Sequence, residues 1–190
     1  MPDVSKTRAI IANIRQQAIS RTTYIKLFTQ TPAGEPYAVL DANGEASGIC
    51  LALSLYWLES RASGNDYLDT LLGPGGTINE KAIQPAIKLQ KSLSNLSSQF
   101  SDAGEWLEKR KFKGKQKPRT QVNGLSMGVG SWYSQPYSEG GPFRLLSNST
   151  HAMALDLSNP SDLAFFDPNF GGFHFDSEVR LKDFLDTVMF

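Results

Sequence analysis

The stretch that decides the fold runs His151-Ala152-Met153-Ala154-Leu155-Asp156-Leu157, then Ser158-Asn159-Pro160-Ser161-Asp162, then Leu163-Ala164-Phe165-Phe166-Asp167, then Pro168-Asn169-Phe170-Gly171-Gly172. The first and third segments are apolar runs of strand length, and the polar segment between them is built of residues that favour turns. Together they predict an antiparallel hairpin. If Leu157 pairs with Leu163, Met153 stands opposite Asp167 and His151 opposite Asn169. Directly opposed residues share a face, so Asp167 and Asn169 fall on the side of the sheet that carries His151. A slip of one residue would move them to the other side. Alternation puts His151, Met153, Leu155 and Leu157 on one face and Ala152, Ala154 and Asp156 on the other. The first, more apolar face is the one expected to pack on helices. The run from Asp167 to Gly172 also has a plain reading as a turn, and both readings can hold together.

Two further strand-like runs, Phe143–Ser147 and Gly172–Phe175, flank this hairpin. Upstream the pattern is helical. Cys50-Leu-Ala-Leu-Ser-Leu-Tyr-Trp-Leu-Glu-Ser-Arg61 is apolar on nearly every face, the mark of a buried helix. Ser5 can cap a helix over about residues 6–20, with Ile10, Ile11, Ile14 and Ala18 in one stripe. Thr77 followed by Glu80 is a capping-box pattern that would open a helix over about residues 78–100, with Pro85 as an early irregularity. A short helix is expected near Asp102–Lys111, and Asp176 or Ser177 can cap a last one. Tyr24–Phe28 fits a short strand or the start of a second helix. Thr31–Gly34 breaks the pattern, and Asp41–Gly48 reads as a polar loop. Helices first and a small antiparallel sheet after them predict an α+β fold, taken as one domain over residues 1–190.

Composition removes several function classes. Lys plus Arg and Asp plus Glu each number 19, so the formal net charge is zero, unlike the net basic domain usual for a nucleic-acid binder. One cysteine rules out an internal disulfide and a zinc site built on several thiolates. The two histidines show no metal-ligand spacing, no phosphate-binding glycine motif occurs, and neither a metal nor another cofactor is expected. No run of about 18 apolar residues is present, so no membrane helix is expected. Met1–Ser20 lacks the continuous apolar segment and cleavage site of a Sec signal, so export would take a non-Sec route. Pro2 excludes N-myristoylation of the chain as written. Seven of the eleven residues from Lys109 to Arg119 are basic; they read as a solvated loop that could meet an anionic surface weakly. A glycine-rich loop over Asn123–Pro142 could border a cleft. His174, between two phenylalanines, reads as a surface or sheet-edge residue, and the chain is expected to act as a monomer.

Cys50 follows a glycine-containing loop at the start of a buried helix. The positive end of the helix dipole favours a thiolate there, and the thiolate is the nucleophile. A free cysteine is also a common small core residue, and His151 taken alone could be a satisfied core histidine. Joined with Asp167 they make a working unit. His151 would take the thiol proton, Asp167 would orient the ring and stabilise its charge, and the thiolate would attack a carbonyl or carboxamide carbon. The oxyanion would meet the Cys50 backbone N–H and one further donor. Asn43 is the only side-chain amide in the 41–48 loop and is the candidate, with Ser47 second and Glu45 only if protonated. Asn43-Gly44 also reads as an ordinary turn.

At Gly48-Ile49-Cys50-Leu51-Ala52-Leu53-Ser54 with Trp57, at His151-Ala152-Met153-Ala154, and at Phe165-Phe166-Asp167-Pro168-Asn169-Phe170-Gly171, the sequence resembles the YopT-type cysteine proteases, papain-like enzymes that many bacteria deliver into host cells. The resemblance spans roughly residues 40–175. It implies a papain-like core with the cysteine-bearing helix packed on an antiparallel sheet, a triad of Cys50, His151 and Asp167, and a host protein as substrate. Three functions stay open: a thiol protease, a glutamine deamidase or transglutaminase on the same core, and a non-catalytic interaction domain in which Cys50 and His151 are structural.

Overall fold

The computed structural model describes residues 3–93, 99–110, 112, 142–147 and 151–189. Its centre is an antiparallel sheet of five strands: β1 (Tyr24–Lys26), β2 (Phe143–Ser147), β3 (Ala152–Asp156), β4 (Leu163–Asp167) and β5 (Gly171–Phe175), in the order β1-β5-β4-β3-β2. The β3–β4 register is the one expected: Ala154 faces Phe166, Leu155 faces Phe165 and Asp156 faces Ala164. Its turn is tied by side chains that mimic backbone turns. Asp156 Oδ1 accepts from Ser158 N at 2.9 Å, and Asn159 Oδ1 accepts from Ser161 N at 3.0 Å. Gly171 opens β5 opposite Asp167 with φ +117°, and a Cβ there would stand 2.4 Å from the Lys26 carbonyl oxygen. Only glycine lets β1 approach the sheet at this point. The ambiguous Tyr24–Phe28 segment contributes an edge strand, with Tyr24 opposite His174.

Helices cover both faces of the sheet. Met153, Leu155, Phe165, Phe173 and Phe175 pack under α1 (Val4–Ala18) and the C-terminal α7 (Glu178–Phe184). The buried α3 (Cys50–Ala62) lies on the opposite face, against Ala154, Ala164 and Phe166. The more apolar face is therefore covered by α1 and α7, while the cysteine-bearing helix takes the face with the smaller residues. Alanines on β3 and β4 leave the room that a close helix needs. Trp57 of α3 stacks on Phe166, with ring centroids 5.6 Å apart. At its far end Arg61 Nε is 2.6 Å from Asp156 Oδ2, and Arg61 Nη2 is 3.1 Å from Asp162 Oδ2.

Two short helices, α2 (Pro36–Ala42) and α4 (Tyr67–Leu71), were not expected, because neither is long enough to set up an apolar period. Helix starts also differ from the sequence reading. Asp3 rather than Ser5 caps α1, accepting from Lys6 N. Asn79 rather than Thr77 caps α5 (Glu80–Ser92), and the Thr77 hydroxyl donates to Pro74 O instead. The helix expected over 78–100 is the shorter α5, and the short helix expected near Asp102–Lys111 is α6 (Gln99–Lys109). His174 is not at the surface: it is 0% exposed on β5, with Tyr24 stacked on its ring. Of the basic run, Lys111 and residues 113–119 lie outside the described residues, as does the glycine-rich stretch from 123 to 141. Among the described residues no helix is long and apolar enough to cross a membrane.

Candidate active site

Cys50 is the first residue of α3 and is half-buried. A helix start leaves backbone N–H groups without partners inside the helix, and the residue before Cys50 is Ile49, which has no side-chain oxygen to offer them. Two distant glutamines serve instead. Gln30 Oε1 accepts from Ile49 N at 2.8 Å, and Gln90 Oε1 accepts from Ala52 N at 3.2 Å. Gly48 has φ +96°, and a Cβ there would stand 3.1 Å from the Gln30 amide atoms. Glycine at this position supplies both the left-handed turn and the space for the amide.

His151 lies just before β3, at the end of the sheet, and Asp167 is the last residue of β4. The His151 Nε2 is 2.9 Å from Asp167 Oδ1, which also accepts from Asn169 N at 2.7 Å. Asp167 is 1% exposed, so this contact is shielded from water. Cys50 lies near enough to the ring for its side chain to act on the imidazole pKa. Burial pulls the imidazole pKa down, but the hydrogen bonds and charges of Asp167 and Cys50 outweigh it and raise the value to about 10. The direction of the shift favours the protonated ring.

Gln30 Nε2 donates to Asn169 Oδ1 at 3.0 Å, which closes a circuit of contacts from the cysteine loop through Gln30, Asn169, Asp167 and His151 back to Cys50. Backbone and Arg15 hold the two halves of the circuit together. Gln30 N donates to Pro168 O at 2.9 Å, and the Arg15 guanidinium donates to Phe28 O at 3.0 Å and to Phe170 O at 3.3 Å.

The fold thus gathers Cys50, His151 and Asp167, with Asn169 beside them. It does not add Asn43. That residue ends α2; its Nδ2 donates back to Val39 O at 2.7 Å and its carbonyl accepts from Lys91 Nζ at 2.8 Å. Gly44, with φ +77° and its N–H on Asp41 O, completes the ordinary turn. The side-chain amide set against the cysteine loop belongs to Gln30. No local pattern marks Gln30, which follows β1 in an irregular stretch and reaches the site only because β1 docks on β5. Among the described residues no group of three His, Cys, Asp or Glu side chains could hold a metal ion.

The model of the Peptidase C58 family, described as Yersinia/Haemophilus virulence surface antigen, matches residues 15–190. The chain belongs to this YopT-type cysteine protease family. The cysteine protease YopT of Yersinia pestis is 25% identical over 180 residues, covering 82% of this chain and 54% of that protein. The cysteine protease yopT1 of Yersinia enterocolitica is also 25% identical, with the same coverage. The chain spans about half the length of these curated relatives. Among solved structures, the Pseudomonas avirulence protein AvrPphB superposes with a TM-score of 0.52 at 21% identity, over 78% of this chain and 82% of that one. The fold is the α+β, papain-like one.

Proposed function

We propose that the chain is a bacterial effector cysteine protease that reaches the host cell by a non-Sec route and cuts a host protein, with Cys50 as nucleophile, His151 as its acid–base partner and Asp167 as the group that orients and charges His151. The observation that carries this reading is the His151 ring held between the Cys50 side chain and the buried Asp167 carboxylate. An imidazolium beside a sulfur favours the thiolate.

The thiolate attacks the scissile carbonyl carbon, forming the C–S bond while the carbonyl electron pair moves onto oxygen. The Cys50 backbone N–H and the second proton of Gln30 Nε2, whose first is used on Asn169, serve as donors to that oxyanion. Collapse of the tetrahedral species restores the carbonyl and breaks the C–N bond, and the Nδ1 proton passes to the leaving amine. Neutral His151 then takes a proton from water, hydroxide adds to the thioester carbon, and the thiolate leaves with the imidazolium restored.

A deamidase forms the same thioester from a glutamine side chain, so the test reads the product. Host-cell lysate is treated with the chain or with its Cys50→Ala variant and compared by mass spectrometry. New chain termini seen only with the wild type support the protease. An intact target with Gln converted to Glu replaces it with the deamidase, and no difference between the two samples leaves the non-catalytic reading.

A further inference from the structure

Helix α3 begins in an unusual way for a helix that carries a nucleophile. Its first internal hydrogen bond runs from Leu53 N to Ile49 O, so the N–H groups of Ile49, Cys50, Leu51 and Ala52 are the ones that need partners from elsewhere. A serine or aspartate at position 49 would lay an oxygen over the first turn. That oxygen would compete with a substrate oxygen for the same edge of the helix, and an aspartate would also repel a thiolate. The fold instead takes the two outer donors with neutral amide carbonyls, Gln30 on Ile49 and Gln90 on Ala52. The donors of Cys50 and Leu51 lie between them.

Gln90 comes from α5, whose side chains pack against α3 and so fix where its amide can reach. Its neighbour Leu89 packs in the same apolar cluster as Cys50, Leu51 and Leu55. The contact with Ala52 N at 3.2 Å sets Gln90 on the third residue of the helix, two residues beyond Cys50.

Resting on the protease reading above, we propose that Gln90 is a positioning residue for the oxyanion site: by engaging Ala52 N–H with an uncharged acceptor, it aims the Cys50 N–H at the substrate oxygen and leaves the positive end of α3 unneutralised for the thiolate. It touches neither substrate nor sulfur and acts through the backbone of the first turn.

Because Cys50 is the chain's one cysteine, two small probes separate the two effects. Iodoacetamide alkylates the sulfur with no oxyanion to stabilise, so its rate against pH reads the thiolate. p-Nitrophenyl acetate transfers its acetyl group to the sulfur and releases p-nitrophenolate, through a tetrahedral oxyanion. In Gln90→Met, which keeps length and removes the acceptor, acylation is expected to slow about tenfold while alkylation keeps its rate and pH midpoint. In Gln90→Glu, which keeps the acceptor and adds charge, the alkylation midpoint is expected to move to higher pH. A role confined to stability would lower the melting temperature of both variants and leave these readouts alone. Equal acylation-to-alkylation ratios in wild type and Gln90→Met overturn the proposal, as does an unmoved midpoint in Gln90→Glu. If the wild-type thiol shows no enhanced alkylation that depends on His151, the protease reading itself fails, and that outcome is visible before any Gln90 variant is made.

Discussion

Strand β4 carries an aspartate at each end, and each aspartate meets one of the chain's two histidines. Asp167, its last residue, holds His151 beside the start of α3; Asp162, just before its first, lies 2.8 Å from His174 Nδ1 near the end of α3. The two pairs are chemically alike, and the proposed function tells them apart. His151 has a side chain 16% exposed, with Cys50 near its ring. His174 is sealed, stacked on Tyr24, and its Nε2 stands 3.6 Å from the Asp66 carboxylate rather than near a nucleophile. A histidine–aspartate contact alone is therefore an element of folding. On the proposed function, such a pair serves a reaction where a helix start brings a sulfur to the ring and a substrate can reach it.

The largest expected effect breaks the symmetry outright. His151→Ala should cut cleavage of the target by about 10⁴-fold with the fold retained, whereas His174→Phe should leave cleavage within about threefold and lower the melting temperature instead. Circular dichroism melts beside the cleavage assay check both, and the reverse pattern would exchange the roles assigned to the two pairs.

Next comes the amide proposed as the second oxyanion donor. Gln30→Ala should slow acylation by p-nitrophenyl acetate about 10²-fold, while Asn43→Ala should change it less than about twofold. Loss of activity in the Asn43 variant would return that residue to the oxyanion site.

The proton balance of each pair gives two finer tests. Because the His151 ring must donate a proton to the leaving amine, the alkaline limb of cleavage is expected at a pH of about 10, and Asp167→Asn should move it down toward the ordinary 6.5. The same raised value stabilises the fold fully below 6.5, and that contribution is lost as the pH rises through about 10.

At the second pair the sign is opposite. Burial opposes ionisation of Asp66, but the nearby His174 ring, the hydrogen bond from Leu68 N and the charge of Lys26 win, lowering its pKa from 3.8 to about 2. Its stabilisation is present above 3.8 and disappears as the pH falls through about 2. Asp66→Asn should remove about 2 kcal/mol at neutral pH and flatten the acid limb of stability between those values, as read by urea melts at stepped pH. An unchanged acid limb would detach Asp66 from the His174 cluster.

Much of the first site could be read from the chain because its parts are local or joined by a single hairpin. The turn Ser158–Asp162 sets the β3–β4 register, which brings Asp167 to the same end of the sheet as His151; that Cys50 meets them from the α3 face is decided by packing. The all-round apolar run after Cys50 likewise reads as a buried helix without outside help. His174 was misread because its flanking phenylalanines say nothing of which partners cover it. Its burial depends on β1, on Asp66 at the start of α4 and on Asp162, three separate segments.

What the sequence by itself determined is the periodic part: the hairpin and its register, the buried helix, the order of cysteine, histidine and aspartate, and membership of a protease family. Tertiary structure decided which side chains finish the site. Gln30 and Gln90 arrive 20 residues before and 40 after Cys50, carried by β1 and α5. A side-chain amide has no periodicity to betray its role, and its partner is fixed only when distant elements pack and leave a backbone N–H to satisfy.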